Sequence, residues 1–279
     1  MTRHRLLPRR ATRLSPVRPA ASSHDRATAP HHASVAPSGG DVDVIADAGV
    51  APDAGMSRLP IEVVDTADIP GGGTLLLLQC GEDFSIEFDE EELMGTRSFR
   101  SEQALAQLTC ERLGRNDGDI LIGGLGMGYT LGAALGAWGE TASIVVAELI
   151  PEVIAWARGP LAHVSGLHID DPRVSLRCAD VHDVIATAQG AFDAILLDVD
   201  NGPDGFLVPE NDRLYCNWGL HAAHAALRPG GILAIWSAYP DPDFAERLER
   251  AGFIVDEVEI PAFPGSKTRW HNIWFATRS

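Results

Sequence analysis

Three glycines set two residues apart constrain this chain more than any other feature. They stand at positions 124, 126 and 128 of Asp119-Ile-Leu-Ile-Gly-Gly-Leu-Gly-Met-Gly-Tyr129. Ile120, Leu121 and Ile122 lead in as a short apolar run, and Leu131, Ala133, Ala134, Leu135 and Trp138 follow at helix-compatible positions. The pattern predicts a buried strand, a turn bare of side chains, and a helix whose first amides are free. Glycine suits such a turn because a Cβ would keep a ligand away from the backbone. A plain strand-to-helix turn also favours glycine, but three in alternation after a strand favour a ligand loop.

The spacing also separates two nucleotide patterns. A dinucleotide fingerprint places glycines at n, n+2 and n+5. Tyr129 and Leu131 occupy the third position in the two available frames, so neither fits. Gly-x-Gly-x-Gly instead resembles the first motif of S-adenosylmethionine (SAM)-binding transferases, whose loop lies against the amino-acid end of the cofactor.

The 279 residues carry a formal charge of −17, which argues against nucleic acid or an anionic membrane surface as the main partner. Cys80, Cys110, Cys178 and Cys216 form no C-x-x-C pair. That argues against a disulfide scaffold or a zinc site and for a reducing, cytoplasmic setting. His221 and His224 share a spacing that can bind metal, but no third ligand is evident, so no metal is expected. No apolar run approaches the length of a membrane span.

Residues 1–58 read as a disordered tail rich in Ala, Pro, Ser, His and Arg. Seven arginines face five aspartates in its first 55 residues, a pattern compatible with a transit peptide, or with a true start at Met56. Residues 59–92 predict a small antiparallel β-cap, with strands over 61–64, 74–79 and 84–88 and a solvated acidic turn at 89–92. From 93 to 279 strand and helix alternate, which predicts an α/β fold. Its seven-stranded, mostly parallel sheet should end in an antiparallel hairpin. Ser101 is expected to cap the first helix, and a long helix is expected over 211–227, ended by Arg228-Pro229-Gly230-Gly231.

In an open parallel sheet, ligands bind beyond the carboxyl ends of the strands. The Gly loop (Gly124, Gly126, Gly128), Glu148, Asp180 and Asp198 fall at four successive strand ends. Glu148 lies 20 residues past Gly128, the distance at which an acidic side chain accepts both hydrogen bonds of a ribose diol. Asp180 is placed to accept from an adenine amine while the Val181 amide meets the ring; a helix N-cap is its plainer role. Asp198-Val-Asp-Asn-Gly-Pro-Asp204 follows a buried strand, so Asp198 and Asp200 can hold an ammonium group or accept its proton. The same residues also form ordinary turns. Tyr215 is a candidate for either the substrate pocket or the core. Trp236, Tyr239, Trp270 and Trp274 are expected in the core or the cleft wall, and His271 has no evident partner.

From about Leu93 to Phe275 the chain resembles the spermidine synthase-like family of SAM-fold transferases. The residues that carry this are Ile120–Gly128, Val145-Val-Ala-Glu-Leu-Ile-Pro-Glu-Val153, Asp171-Pro-Arg-Val174 and Cys178-Ala-Asp-Val181. Phe192-Asp-Ala-Ile-Leu-Leu-Asp-Val-Asp-Asn-Gly-Pro203 and Leu227-Arg-Pro-Gly-Gly-Ile-Leu233 continue it. The resemblance implies a Rossmann-like methyltransferase fold with an N-terminal β-cap. It implies a SAM or decarboxylated-SAM site using Glu148 and Asp180, and a catalytic aspartate at Asp198. That aspartate would accept a proton from an amine that displaces methylthioadenosine, a reaction of polyamine biosynthesis. Gly126 stands where the family has an aspartate, Asn201 where it has the second loop aspartate, and Arg100-Ser101-Glu102 where it has Tyr-His-Glu. Glu102 and Asn201 are therefore substrate-binding candidates by resemblance. The expected partner is a small-molecule amine or another nucleophilic acceptor, and homodimers are common among such folds. A SAM-dependent small-molecule methyltransferase and a catalytically silent adenosyl-nucleotide-binding module are the alternatives.

Overall fold

Period-two and continuous apolar patterns become eleven strands among the described residues. The computed structural model describes residues 60–199, 202, 203, 212–262, 266 and 268–279. The expected tail over 1–58 lies outside them, as do Asp200 and Asn201. Strands β1 (Ile61–Asp68), β2 (Thr74–Cys80), β3 (Asp83–Phe88) and β4 (Glu91–Gly95) form an antiparallel sheet in sequence order. Of the acidic run, only Asp89 and Glu90 are turn, both with positive φ, as a tight hairpin demands. Glu91 and Glu92 already belong to β4, a strand that the acidic composition concealed.

The second sheet has seven strands in the order β10-β11-β9-β8-β5-β6-β7. These are β5 (Asp119–Gly123), β6 (Ser143–Glu148), β7 (Val174–Cys178), β8 (Phe192–Leu197), β9 (Leu227–Ser237), β10 (Phe253–Pro261) and β11 (Trp270–Arg278). β5 to β9 run parallel, and β11 lies antiparallel between β9 and β10. The expected hairpin is therefore present, with β11 rather than β10 against the parallel strands. Every residue of β8 is buried. Alternate side chains of the central strands enter two cores: Ile120, Ile122 and Leu196 pack with cap residues Leu75, Leu77 and Ile86 on one face, and Leu121, Ile195 and Leu197 on the other.

Helices α1 (Arg100–Leu113), α2 (Tyr129–Ala137), α3 (Pro151–Arg158), α4 (Leu167–Ile169), α5 (Val181–Ala186), α6 (Asp212–Tyr215), α7 (Asn217–Ala226) and α8 (Pro242–Arg250) connect the strands. A π-helical turn spans Ala162–Gly166. The long helix expected over 211–227 is broken: α6 ends at Tyr215, and extended Cys216 starts α7. Gly219 lets the two pieces fold together, since a Cβ there would stand 1.9 Å from the Arg213 carbonyl oxygen. Arg228-Pro229-Gly230-Gly231 belongs to the start of β9, where a bulge opposite Phe192 and Ala194 accommodates the proline. Ser101 does not cap α1. Phe99 holds the N-cap position, and the Ser101 side chain turns inward, 1% exposed.

At the amino ends of β5 and β8, Asp193 is buried and receives Arg115, Arg228 Nη1 (2.6 Å) and the Asp119 amide (2.8 Å). Arg228 also reaches Asp119 at 2.8 Å. At the opposite ends of the same strands lies a pocket.

Candidate active site

The Gly loop leaves β5 and enters α2 with φ of 86° at Gly124, 48° at Gly126 and 78° at Gly128. The left-handed region alone favours glycine at each. Neighbouring protein atoms add a second constraint that the sequence reading assigned to a ligand. A Cβ on Gly124 would stand 2.2 Å from the Asp198 carbonyl oxygen, and one on Gly126 would stand 2.6 Å from Met94 Sδ. Gly124 and Gly126 line the pocket. Gly128 does not: it is the N-cap of α2 and backs onto Ser165.

Glu148, at the end of β6, shapes the loop. Its Oε2 accepts the Leu125 amide at 2.8 Å and its Oε1 accepts the Ile150 amide at 2.8 Å. Burial pushes this carboxyl up, while the amides of Ile150, Leu125, Gly126 and Leu149 pull it back. Glu148 lines the pocket with these amides around its carboxylate.

Asp180 also lines the pocket, yet both its oxygens are engaged. Oδ1 caps α5 through the His182 amide at 2.8 Å, and Oδ2 takes Arg213 at 2.7 Å. The capping role is thus realised, and any ligand contact by Asp180 would be additional to it. Val181 lines the pocket beside it. Of the two places open to Tyr215, it takes the core: it is fully buried and meets Phe244 edge-on at 5.9 Å.

Asp198 follows β8, half-buried, with its amide on the Gly123 carbonyl at 3.0 Å. Its Oδ2 accepts the Thr130 hydroxyl at 2.6 Å. Glu102 on α1 lines the same pocket and is buried. Burial and the nearby Asp198 charge raise the Glu102 carboxyl, against a lowering by the Ser101 hydroxyl. Burial raises Asp198 as well, against the Thr130 hydrogen bond. Two desolvated carboxyls facing one space hold a proton more tightly than either would in water. A cation entering that space would relieve the repulsion.

Apolar groups from the cap (Leu75, Ile86, Leu93, Met94), together with Val153 and Trp236, complete a pocket that opens to solvent. Apolar walls with few polar anchors are the make-up of a small-molecule site. The sequence reading missed Thr130 and Met94. Thr130 sits in the first turn of α2, the turn that a Gly loop presents to its ligand, which is the one signal that could have flagged it. Met94 carries no sequence signal, because the first two residues of its strand were read as part of a turn. His271, read as partnerless, bonds Ser101. Among the described residues, no group of three His, Cys, Asp or Glu side chains could hold a metal ion, and no helix is long and apolar enough to cross a membrane.

The architecture superposes on solved spermidine synthases. One, in complex with the transition state analogue AdoDATO, aligns over 78% of this chain and 72% of its own with a TM-score of 0.62 at 19% identity. That of Thermotoga maritima aligns over 78% and 73%, with a TM-score of 0.63 at 18% identity. In fold, the chain is similar to these enzymes. In sequence, the chain is 33% identical over 131 residues to the polyamine aminopropyltransferases of Mycobacterium tuberculosis (strains CDC 1551 and H37Rv) and Mycobacterium bovis. The match takes in 43% of this chain and about a quarter (24%) of the length of those relatives. No model of a known protein family matches the chain.

Proposed function

We propose that this pocket binds a decarboxylated-SAM-type donor and transfers its aminopropyl group to a small-molecule amine. The observation that carries this is the pair Glu102 and Asp198 lining one pocket with Gly124, Gly126 and Glu148. The cradle fits an adenosyl group: a bare loop, a strand-end carboxylate and apolar walls. When bound, the sulfonium donor supplies an electrophilic carbon and a neutral thioether leaving group.

The chain's own residues would do the rest. Glu148 anchors the ribose diol, and Val181 with Asp180 borders the adenine. Asp198, oriented by Thr130, accepts a proton from the acceptor's ammonium so that the amine nitrogen can attack. Glu102 offers a second anion to the same cation. Asp200 and Asn201 belong to this proposal by their place after Asp198. The cap expected over 59–92, continued by the end of β4, closes the site, and the rest of 93–279 carries it.

A second reading, SAM-dependent methyl transfer on the same scaffold, is favoured by Met94 Sδ lying where a Gly126 side chain would stand. No carboxylate there can pair the ammonium of a decarboxylated donor. One experiment separates the two: incubation with SAM or decarboxylated SAM and putrescine, followed by nucleoside analysis. Methylthioadenosine from the decarboxylated form supports aminopropyl transfer. S-adenosylhomocysteine from SAM supports methyl transfer, and binding without either product leaves a silent module.

A further inference from the structure

We propose that Thr130 is a positioning residue whose hydroxyl keeps Asp198 in one orientation in both of its protonation states, by turning its single hydrogen between the Asp198 carboxylate and the main-chain oxygen of Glu102. The proposal rests on the functional reading only in taking Asp198 as the group that receives the acceptor's proton. Its geometry belongs to the protein alone.

Thr130 is the second residue of α2, just after the Gly loop, and is 3% exposed. Its Oγ1 lies 2.6 Å from Asp198 Oδ2, past the end of β8, and 3.2 Å from the main-chain oxygen of Glu102, on α1. Three elements thus meet at one hydroxyl. A hydroxyl has one hydrogen to give and two lone pairs to receive with, whereas a carbonyl oxygen can only receive. The Glu102 oxygen therefore stands only on the accepting side of its bond, while the Asp198 carboxyl can stand on either. Among the described residues no second hydrogen bond reaches that carboxyl, so Oδ1 is left for the pocket that Asp198 lines.

With Asp198 ionised, Thr130 donates to Oδ2, at the short distance expected of a hydroxyl on a charged acceptor. When the acceptor's ammonium gives up its proton, an N–H bond breaks and an O–H bond forms on Oδ1. Nitrogen keeps the electron pair, and carboxylate and ammonium both become neutral. Thr130 still donates to Oδ2 at that moment. In the resting neutral acid the proton sits on Oδ2, where it has an acceptor in Oγ1, and Thr130 turns its hydrogen to the Glu102 oxygen. No heavy atom needs to move in any of these states. The Thr130 bond favours the anion, whereas burial raises Asp198 from 3.8 to about 6. The titratable groups around it are Glu102, Glu148 and Asp180 in the pocket lining, and Tyr129, which faces Glu102.

The test is a pH titration of the full chain by NMR of its ¹³C-labelled aspartate carboxyls, with Asp198→Asn identifying the resonance. Asp198 should titrate near 6, and Thr130→Ser, which keeps the hydroxyl, should leave it there. Thr130→Val, of the same size without the hydroxyl, should raise it by about one pH unit or more, as loss of a hydrogen bond to a charged acceptor requires. In the unaltered chain the Thr130 hydroxyl proton should move upfield as Asp198 takes up its proton, because its acceptor changes from a carboxylate to an amide oxygen. An unmoved titration in Thr130→Val, or a hydroxyl resonance indifferent to the state of Asp198, overturns the proposal. The second measurement needs no variant, so it decides the matter even if Thr130→Val does not fold. Neither needs a substrate, so a failed putrescine assay would remove the functional reading without touching this result. Where turnover is seen, the acid limb of kcat/KM for putrescine should move to higher pH in Thr130→Val and return in Thr130→Ser. A merely structural threonine would lower the rate at every pH without moving that limb.

Discussion

The Met127 amide, in the Gly loop, donates to Met94 Sδ, in the last strand of the small sheet, at 3.1 Å. The cap thus reaches into the loop with an uncharged, polarisable group beside Gly126. A side chain added at Gly126 would collide with it. Gly126→Asp alone should therefore lower the melting temperature and weaken donor binding. In a Met94→Ala background the aspartate gains room, and although the left-handed φ at 126 still costs stability, the double variant should shift preference towards decarboxylated SAM over SAM. Calorimetric affinities for the two donors measure this, and an unchanged ratio counts against Gly126 as the selectivity position.

Asp198→Asn keeps the shape and the Thr130 contact but removes the proton acceptor. Turnover should drop by about 10²-fold or more, with donor affinity within a few-fold of the original. Stopped assays for methylthioadenosine together with calorimetry check both halves. Undiminished turnover would take Asp198 out of the mechanism.

The pH dependence of stability should contain two opposed contributions. His271 is less basic folded than unfolded, so between 6.5 and about 4 the unfolded chain binds the extra proton. Its contribution is present above that window and lost as pH falls through it. Glu102 and Asp198 are shifted the other way, so the folded chain holds their protons longer, and stability falls as pH rises past the usual carboxylate range. Urea midpoints across this range should show His271→Gln losing the acid-side decline and Glu102→Gln lessening the other, with the Asp198 share left. Parallel curves for all three proteins would contradict both assignments.

Asp193→Asn strands Arg115 and Arg228 at the far end of the sheet from the pocket. The guanidiniums stay partly solvated, so the cost should be about 2–3 kcal/mol rather than that of a fully buried pair. Denaturant midpoints should fall while donor affinity, measured well below the transition, is unaltered. A parallel loss of affinity would mean that the two ends of the strands are coupled.

The rim was legible in the sequence where one residue's place follows from its own strand. Glu148 and Asp198 are such cases, since an apolar run that stops at an acidic residue fixes both the face and the end at which it emerges. The seven strands and the C-terminal hairpin follow from the same local patterning. What escaped depends on elements distant in sequence. Ser101 and His271 are 170 residues apart and meet only because β11 inserts next to β9. Met94 was hidden by the acidic residues that open its strand. Tyr215 could not be assigned to core or pocket until the corner at Cys216 was seen to turn α6 inward.

The two ends of the sheet handle negative charge differently. Asp119 and Asp193 find guanidiniums within the fold, whereas Glu102, Glu148 and Asp198 have no ion-pair partner among the described residues. Folding therefore completes the electroneutrality of one end and leaves the other to be completed from solution. A cationic occupant of that end would be the missing counterion of the fold, so its binding should depend on ionic strength even though it is enclosed by hydrocarbon.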